Sequence, residues 1–314
     1  IISMSNILII KHGSLGDLIQ ANGAIKDIKK TFSDHKVLLL TTPPYADFMS
    51  GCPFIDGVLI DQRLPRWNLI YLNKLKNMLQ RFDFTKIYDL QNSSRTKFYK
   101  RFIFKKDIFW SDSDSFISKE QALEEKKLPV LNRMKLQLSR TGISETSFTK
   151  KPDLNWALRN IKNIVNQNFE GEYILIFPFC SPKLRKKKWP YFDELISLLN
   201  RDYGSKYNIA IAPGPKEINE AKKFKTNIIL KQNLPLSITE LISLIYNSSY
   251  VISNDTGPAH ICAHLNKKGL VLFGSHTSPE KVSIETEKFK SIKVENLHEL
   301  TVADVFEKVK ENLN

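Results

Sequence analysis

Residues 250–274 read YVISNDTGPAHICAHLNKKGLVLFG, and the pattern of these residues indicates the fold class. Its pattern predicts a strand through Val251 and Ile252, a tight turn, a helix, and a second strand over Gly269–Phe273. Both predicted strands are short and continuously apolar, which is typical of parallel strands covered on both faces. The stretch therefore predicts a β-α-β unit of an α/β fold.

The turn in this stretch has the residues of a helix N-terminus. Pro258 suits the first helical position, where its missing N–H has no intrahelical partner, and Asp255 and Thr256 precede it at capping positions. A helix N-terminus at the carboxyl end of a buried strand is a common anion site in α/β folds. An ordinary capped helix explains the same residues, so both interpretations stay open at this point.

The rest of the chain repeats this alternation of strands and helices. Apolar runs predict further strands over 6–11, 37–41, 58–60, 85–90, 173–177, 208–212 and 227–230. Helical spacing of apolar residues predicts helices over 18–28, 67–82, 128–140, 192–199, 238–246 and 302–309, and a polar helix over 216–225. A strand is expected within the aromatic-rich residues 98–110, and a mobile loop or short exposed helix over 111–127.

Two such series predict two doubly wound, Rossmann-like domains, 1–165 and 166–314, that face each other across a cleft. A chain of 314 residues is long enough for two domains, and its hydrophobic fraction of 42% supports two cores. No GxGxxG follows the first strand of either half, which disfavours a dinucleotide-dependent dehydrogenase.

The amino-acid composition narrows the cellular compartments and the binding partners that can be expected for this protein. No apolar run is long enough to span a membrane, no secretory signal is visible, and three widely spaced cysteines predict reduced thiols in the cytoplasm. The formal net charge of +14 favours nucleic acid, an anionic membrane face or a phosphorylated substrate. No nucleic-acid-binding motif is present, so no nucleic acid partner is expected. Most lysines are scattered as on a solvated surface; the exception is the basic run Lys183–Lys188.

Three motifs together carry a family resemblance. They are ILIIKHGSLGD at Ile7–Asp17, KKWP at Lys187–Pro190 and SNDTGPAHICAHL at Ser253–Leu265, with supporting matches at Lys86–Thr96 and Pro213–Glu217. In this order and spacing the set resembles the heptosyltransferases of glycosyltransferase family 9. The resemblance extends from residue 7 to about residue 279, and the Asp-Thr-Gly-x-x-His element is its most specific part.

The resemblance implies the GT-B fold and an inverting transferase that needs no metal and no cofactor. It implies ADP-heptose as the donor and an anionic glycolipid acceptor, the lipopolysaccharide inner core on lipid A. It implies a cytoplasmic protein and leaves peripheral contact with the inner face of the inner membrane open. Two alternatives remain: a relative using another nucleotide sugar or glycan acceptor, and a catalytically silent protein that binds nucleotide or glycan.

On the acceptor side, the resemblance assigns Asp17 as the catalytic base. A carboxylate within hydrogen-bond reach can take the proton of an acceptor hydroxyl as the new bond forms. The residue alone fits a helix cap equally well. Gly13 and Gly16 are expected to let the backbone approach substrate, with Ser14 as a further hydrogen-bonding group and Arg95 as an acceptor-side loop residue.

On the donor side, Lys187 matches the lysine that holds the diphosphate, whose charge grows as it leaves. The alternative for Lys187 is a solvated basic loop. Thr256 and Gly257 match a phosphate-binding turn, and Asp255 is expected either to face the sugar or to fix that turn. The remaining donor-side candidates, each with a simpler structural alternative, are Glu217 for the ribose, Leu236 for the adenine, Ser181 for phosphate and His260 for the turn.

Two segments depart from the family pattern. The family's small-to-Pro turn before the strand at 269–273 is Asn266-Lys267-Lys268 here, and the second departure follows that strand. Where the family has Gly-Pro-Thr-x-Pro, this chain has the longer Gly274–Pro279, GSHTSP. The family pattern puts this segment beside the sugar, so the departure leaves the identity of the donor sugar less certain than the family.

Overall fold

The computed structural model describes residues 5–313, apart from the side chains of Pro182, Lys183 and Arg185. The chain divides into two compact units, Ile1–Trp156 and Ala157–Asn314. This division falls earlier than the predicted boundary after Val165. Residues just beyond Ala157 already belong to the second unit, since the backbone N–H of Arg159 donates to Ser243 Oγ at 2.8 Å.

The first unit contains one parallel sheet of five strands in the order β3-β2-β1-β4-β5. Ile7 to Ile10 of β1 have no solvent exposure, because both neighbours and both faces of this central strand are covered. The strands are β1 (Asn6–Ile10), β2 (Lys36–Thr41), β3 (Gly57–Ile60), β4 (Phe84–Asp89) and β5 (Phe109–Ser111). The helices are α1 (Leu15–Thr31), α2 (Pro43–Ser50), α3 (Leu69–Leu79), α4 (Ser94–Phe102), α5 (Lys119–Glu125) and α6 (Val130–Arg140).

The second unit contains a parallel sheet of six strands in the order β11-β10-β9-β6-β7-β8. Chain order reverses between β6 and β9, which makes their carboxyl ends the topological switch point of this sheet. The strands are β6 (Glu172–Phe177), β7 (Tyr207–Ile211), β8 (Asn227–Ile228), β9 (Tyr250–Asn254), β10 (Gly269–Phe273) and β11 (Phe289–Lys293). The helices are α7 (Lys162–Asn168), α8 (Phe192–Tyr203), α9 (Ile218–Ala221), α10 (Ile238–Asn247), α11 (Gly257–His264) and α12 (Val302–Leu313), with short 3₁₀ helices at Asn155–Ala157 and Pro182–Lys187.

The structure departs from the predicted elements in five places. One is α7, a helix in a stretch for which no element was predicted. Pro43 and Pro44 begin α2 as well as ending β2, because proline is tolerated in a first helical turn. Part of the aromatic-rich stretch 98–110, in which a strand was expected, belongs instead to α4, which opens with a Ser93–Thr96 capping box. The predicted polar helix over 216–225 is reduced to the four residues of α9. The edge strand β11 was not predicted, because its residues are only partly buried.

Cys52, Cys180 and Cys262 are free thiols, and Cys52 and Cys262 are buried. Within residues 5–313 no helix is both long enough and apolar enough to cross a bilayer.

Candidate functional site

In the first unit, the turn between β1 and α1 places Ser14 against Asp17. Asp17 Oδ2 accepts hydrogen bonds from the backbone N–H of Ser14 at 2.8 Å and from its hydroxyl at 3.0 Å. These contacts form part of a capping box, so Asp17 has the capping role that its position alone suggested. The side chain is half-buried. Its assignment as the base stays a prediction.

Gly13 has a conformation that a side chain would not tolerate. Its φ is +119°, and a Cβ atom there would overlap the ring of Tyr45. The glycine is thus required by the turn and by Tyr45. Gly16 is the buried second residue of α1. Close approach of either glycine to substrate stays a prediction.

Two cations interact electrostatically with the Asp17 carboxylate. Lys11 is buried, and its Nζ donates to the backbone oxygen of Leu90 at 3.0 Å. Burial lowers the pKa of Lys11, and the negative charges of Asp17 and Asp89 oppose that shift. Burial also lowers the pKa of Arg133, again opposed by Asp17. Lys11 and Arg133 therefore bring positive charge close to the predicted base.

A buried polar network adjoins this turn. His12 Nε2 lies 2.9 Å from Asp61 Oδ2, and both side chains are almost fully buried. Asp61 also accepts hydrogen bonds from the hydroxyls of Tyr71 and Tyr99. Burial opposes ionisation of Asp61, but the hydrogen bonds from His12 and Tyr71 outweigh it and lower its pKa to about 2. The network therefore fixes the residue that precedes the Gly13 turn.

Arg95 belongs to the edge of this network. It lies in α4, and its Nη1 donates to the Tyr99 hydroxyl and to the backbone oxygen of Leu64, both at 3.0 Å. These contacts give Arg95 a structural role, and its predicted part in acceptor binding stays untested.

In the second unit, the junction of β9 and α11 has the geometry of an anion site. Thr256 is the N-cap of α11, but its side chain caps no helix N–H, and the first turn contains no acidic residue. The Thr256 hydroxyl lies 3.2 Å from Ser253 Oγ instead. The helix begins at Gly257, so Pro258 is its second residue. The positive end of the helix dipole is therefore available to an anion.

Asp255 is the residue that the other charged and titratable side chains of this junction approach. Its Oδ2 accepts from Lys187 Nζ at 2.6 Å and lies 3.1 Å from His276 Nε2, while His260 Nε2 is 3.7 Å from Oδ1. Burial opposes ionisation of Asp255, but His276 and Lys187 outweigh it and lower its pKa to about 2. Of the two roles expected for Asp255, these contacts fit fixing the turn and the lysine beside it.

Trp189 anchors the KKWP motif to the second unit. This side chain has no solvent exposure, and its Nε1 donates to the backbone oxygen of Leu300 at 2.9 Å. Its backbone N–H donates to Asn254 Oδ1 at 3.1 Å, and Asn254 Nδ2 donates to Pro178 O at 2.9 Å. Asn254 thus joins the ends of β6 and β9 to the motif, and the anchored tryptophan sets Lys187 two residues away.

The other donor-side candidates have contacts of their own. Glu217 Oε2 accepts from the backbone N–H of Gly214 at 2.7 Å, and burial raises its pKa. Leu236 is half-buried beside the N-cap of α10, and Ser181 is exposed. Within the described part of the chain, no hydrogen bond or ion pair joins these three residues to Asp255. The neighbouring Lys188 pairs with Glu220.

Four residues of these two groups were not predicted from the sequence: His12, Asp61, Asn254 and His276. A polar residue directly after an apolar strand was the available signal for His12 and Asp61, and Asn254 ends such a strand. His276 lies in one of the two segments that depart from the family pattern. Among residues 5–313 no three His, Cys, Asp or Glu side chains are arranged to hold a metal ion.

The chain has the GT-B fold, in which two units are each built on a parallel, doubly wound sheet. The chain belongs to glycosyltransferase family 9 (heptosyltransferase), whose sequence model matches residues 72–309. It is therefore a glycosyltransferase. The match begins after the turn that contains Asp17. A comparison with curated protein sequences finds no match.

Solved structures share the fold over almost the whole chain. Escherichia coli heptosyltransferase WaaC with ADP is 18% identical, with a TM-score of 0.72 over 98% of this chain and 99% of that one. E. coli ADP-heptose lps heptosyltransferase II is 17% identical, with a TM-score of 0.71 over 98% of each chain. A family 9 glycosyltransferase from Veillonella parvula is 13% identical, with a TM-score of 0.73 over 98% and 97%. At such identities the likeness concerns the fold alone.

Proposed function

We propose that this protein transfers a heptose from ADP-heptose to the lipopolysaccharide inner core, with inversion and without a metal. The observation that supports this most is the β9–α11 junction. There a helix N-terminus without a side-chain cap lies next to Lys187, which Asp255 holds at 2.6 Å. WaaC, which has the same fold, has been solved with ADP and with ADP-2-deoxy-2-fluoro heptose. These ligands support an ADP-linked donor for the present protein.

In this proposal the junction binds the donor diphosphate. The first-turn N–H groups of α11, beginning at Gly257, and the Thr256 hydroxyl bind phosphate oxygens. An ammonium group has three N–H donors, so Lys187 can bind a phosphate oxygen while it remains bonded to Asp255. Negative charge grows on the ADP as the glycosidic bond breaks, and these fixed donors stabilise it.

The first unit supplies the base. The acceptor hydroxyl gives its proton to Asp17 as its oxygen attacks the anomeric carbon of the heptose. The bond from that carbon to the ADP oxygen breaks on the opposite face, and the configuration inverts. Ser14 holds the carboxylate through its N–H and its hydroxyl, so the same contacts that cap α1 also orient the base.

The remaining assignments follow from the resemblance. Glu217 binds the ribose hydroxyls and Leu236 packs on the adenine, while Ser181 and His260 are secondary donor contacts. Gly13, Gly16 and Arg95 belong to the acceptor side. The protein acts in the cytoplasm, at the inner face of the inner membrane, where it meets an anionic glycolipid acceptor.

Nucleotide binding tests the donor half of this proposal. We expect ADP to bind more tightly than UDP or GDP in isothermal titration calorimetry. Lys187→Ala removes a charge-assisted hydrogen bond, so the Kd for ADP should rise about 10- to 100-fold. Lys186→Ala is the matched control, because Lys186 is the adjacent, exposed lysine, and it should leave the Kd within about twofold.

Two results would contradict the donor assignment. Tighter binding of UDP or GDP than of ADP would exclude an ADP-sugar donor. Equal Kd values for the Lys187→Ala and Lys186→Ala variants would remove Lys187 from the donor site. A thermal melt of each variant, measured first, separates loss of binding from loss of fold.

A further inference from the structure

The segment Ile60–Ile70 of the first unit exposes an unusual density of apolar side chains. Trp67, Leu69 and Ile70 are 83%, 75% and 73% exposed, and Ile60 and Leu64 are each 42% exposed. Single exposed apolar residues are common on proteins, but a group of this size marks a binding surface. None of these side chains has a part in the proposed transfer reaction.

Helix α4 extends this surface. The backbone oxygen of Leu64 accepts a hydrogen bond from Arg95, and the Arg66 guanidinium lies 5.8 Å from the ring of Phe98. Phe98 in turn packs on Phe102, with ring centroids 4.8 Å apart, and Phe102 is 55% exposed. We define the apolar patch as these exposed residues: Leu64, Trp67, Leu69, Ile70 and Phe102.

The patch lies in a basic part of the chain. Residues 62–82 contain five Lys or Arg and no Asp or Glu, and residues 90–106 contain six and none. Of those six, Lys97 and Lys100 are paired with Asp114 and Asp112, so we assign them no part in binding a partner. Arg66 and Arg101 lie against aromatic rings of α4, with Arg101 5.2 Å from the Phe102 ring. Arg63 is also exposed.

We propose that the apolar patch docks the first unit onto an anionic lipid bilayer. Exposed apolar side chains enter the boundary between headgroups and acyl chains, and tryptophan prefers that depth because its ring is amphipathic. Arg63, Arg66 and Arg101 then meet the lipid phosphates, because basic side chains are attracted to an anionic surface. A patch that combines apolar side chains with positive charge fits an anionic bilayer better than a polyanion such as a nucleic acid. Binding of a polyanion requires only the positive charge.

The inference deepens the proposed function, because it names the surface through which the protein meets the membrane, and it rests on that function in one respect, that the acceptor is carried by a lipid. Docking would keep the enzyme at the surface where that acceptor lies. The donor site and the base have no part in the patch, so the two proposals can fail separately.

Vesicle co-sedimentation tests the docking. The wild-type protein should sediment with phosphatidylcholine vesicles that contain phosphatidylglycerol, and less with pure phosphatidylcholine or at high salt. Trp67→Ser/Leu69→Ser should weaken binding by about tenfold or more, since two large side chains no longer enter the lipid. Phe116→Ser/Leu123→Ser is the matched control, because both are exposed apolar residues of the same unit outside the patch. It should bind like the wild type.

Three outcomes would overturn the docking surface. They are no binding of the wild type to anionic vesicles, equal binding by the two double variants, and tighter binding to duplex DNA than to vesicles. Transfer to a short, water-soluble core oligosaccharide separates this proposal from the proposed function. Trp67→Ser/Leu69→Ser should retain that transfer while losing vesicle binding. Vesicle binding without any transfer from ADP-heptose would contradict the proposed function and leave the docking intact.

Discussion

At the scale of single residues, Asp255 organises the donor-side charges. One buried carboxylate contacts Lys187 and His276, and His260 lies slightly further away. Removing one partner from a buried ionic group leaves the others uncompensated, which costs more than the pair itself contributes. The side chain is therefore expected to matter for stability as well as for donor binding.

Asp255→Asn should lower the free energy of unfolding by about 2–3 kcal/mol at neutral pH. Because the folded-state pKa of about 2 is below the ordinary value of 3.8, this contribution is present above about pH 4 and is lost as the pH falls toward 2. Urea unfolding of both proteins at several pH values measures the difference. It should shrink between pH 4 and pH 2.

Asp202→Asn is the control for this experiment. Asp202 pairs with Arg201 on the surface, where water and salt screen the interaction, so little change is expected at any pH. A gap between wild type and Asp255→Asn that stays constant down to the lowest pH would contradict the assigned role of Asp255.

The sequence allowed the residues of each motif to be predicted but not their contacts. Asp17, Lys187 and Asp255 could be singled out because each stands in a recognisable motif. The approach of His276 to Asp255, and of His12 to Asp61, depends on how separate strands end side by side in a sheet. Such tertiary neighbours leave no periodic pattern, so the sequence offered only isolated polar residues after apolar runs.

At the scale of elements, the His12–Asp61 network joins the ends of β1 and β3 to α3 and α4. His12 follows β1, Asp61 follows β3, Tyr71 lies in α3 and Tyr99 in α4. All four side chains are buried, so the network holds these elements together without access to solvent. It also holds the residue before the Gly13 turn.

Asp61→Ala should destabilise the protein by about 3–5 kcal/mol, because His12 and two tyrosine hydroxyls lose their buried partner. Tyr71→Phe removes one hydroxyl and should cost only about 1–2 kcal/mol. Equilibrium urea unfolding measures both. A loss for Asp61→Ala no larger than that for Tyr71→Phe would show that the carboxylate does not hold the network together. If Asp61→Ala does not fold, Tyr99→Phe takes its place and should lose more than a surface control.

Most elements could be predicted because buried parallel strands are short and continuously apolar. β1, β6 and β9 are such strands, and their predicted ranges agree with the structure. The pattern fails where burial is incomplete. α4 is rich in lysine and arginine, and β11 is an edge strand, so neither shows a strong apolar period.

At the scale of the whole molecule, the fold is conserved where the sequence is not. Relatives that are 13–18% identical share it over nearly their full length. Family membership and the α/β class therefore follow from a few motifs and from the alternation of strands and helices. The donor sugar and the acceptor do not follow from the fold, and the expected position of Gly274–Pro279 beside the sugar stays a prediction.

A heptose transfer assay is the direct test of the proposed function. Purified protein is given ADP-heptose and a lipopolysaccharide acceptor that lacks the heptose to be added, and ADP release and the product mass are followed. We expect turnover by the wild type and a fall of at least about 100-fold in kcat for Asp17→Asn, because a general base contributes roughly that much. The Kd for ADP should change little in that variant. No transfer by the wild type would contradict the proposed function, and an unchanged kcat for Asp17→Asn would contradict the role of Asp17 as the base.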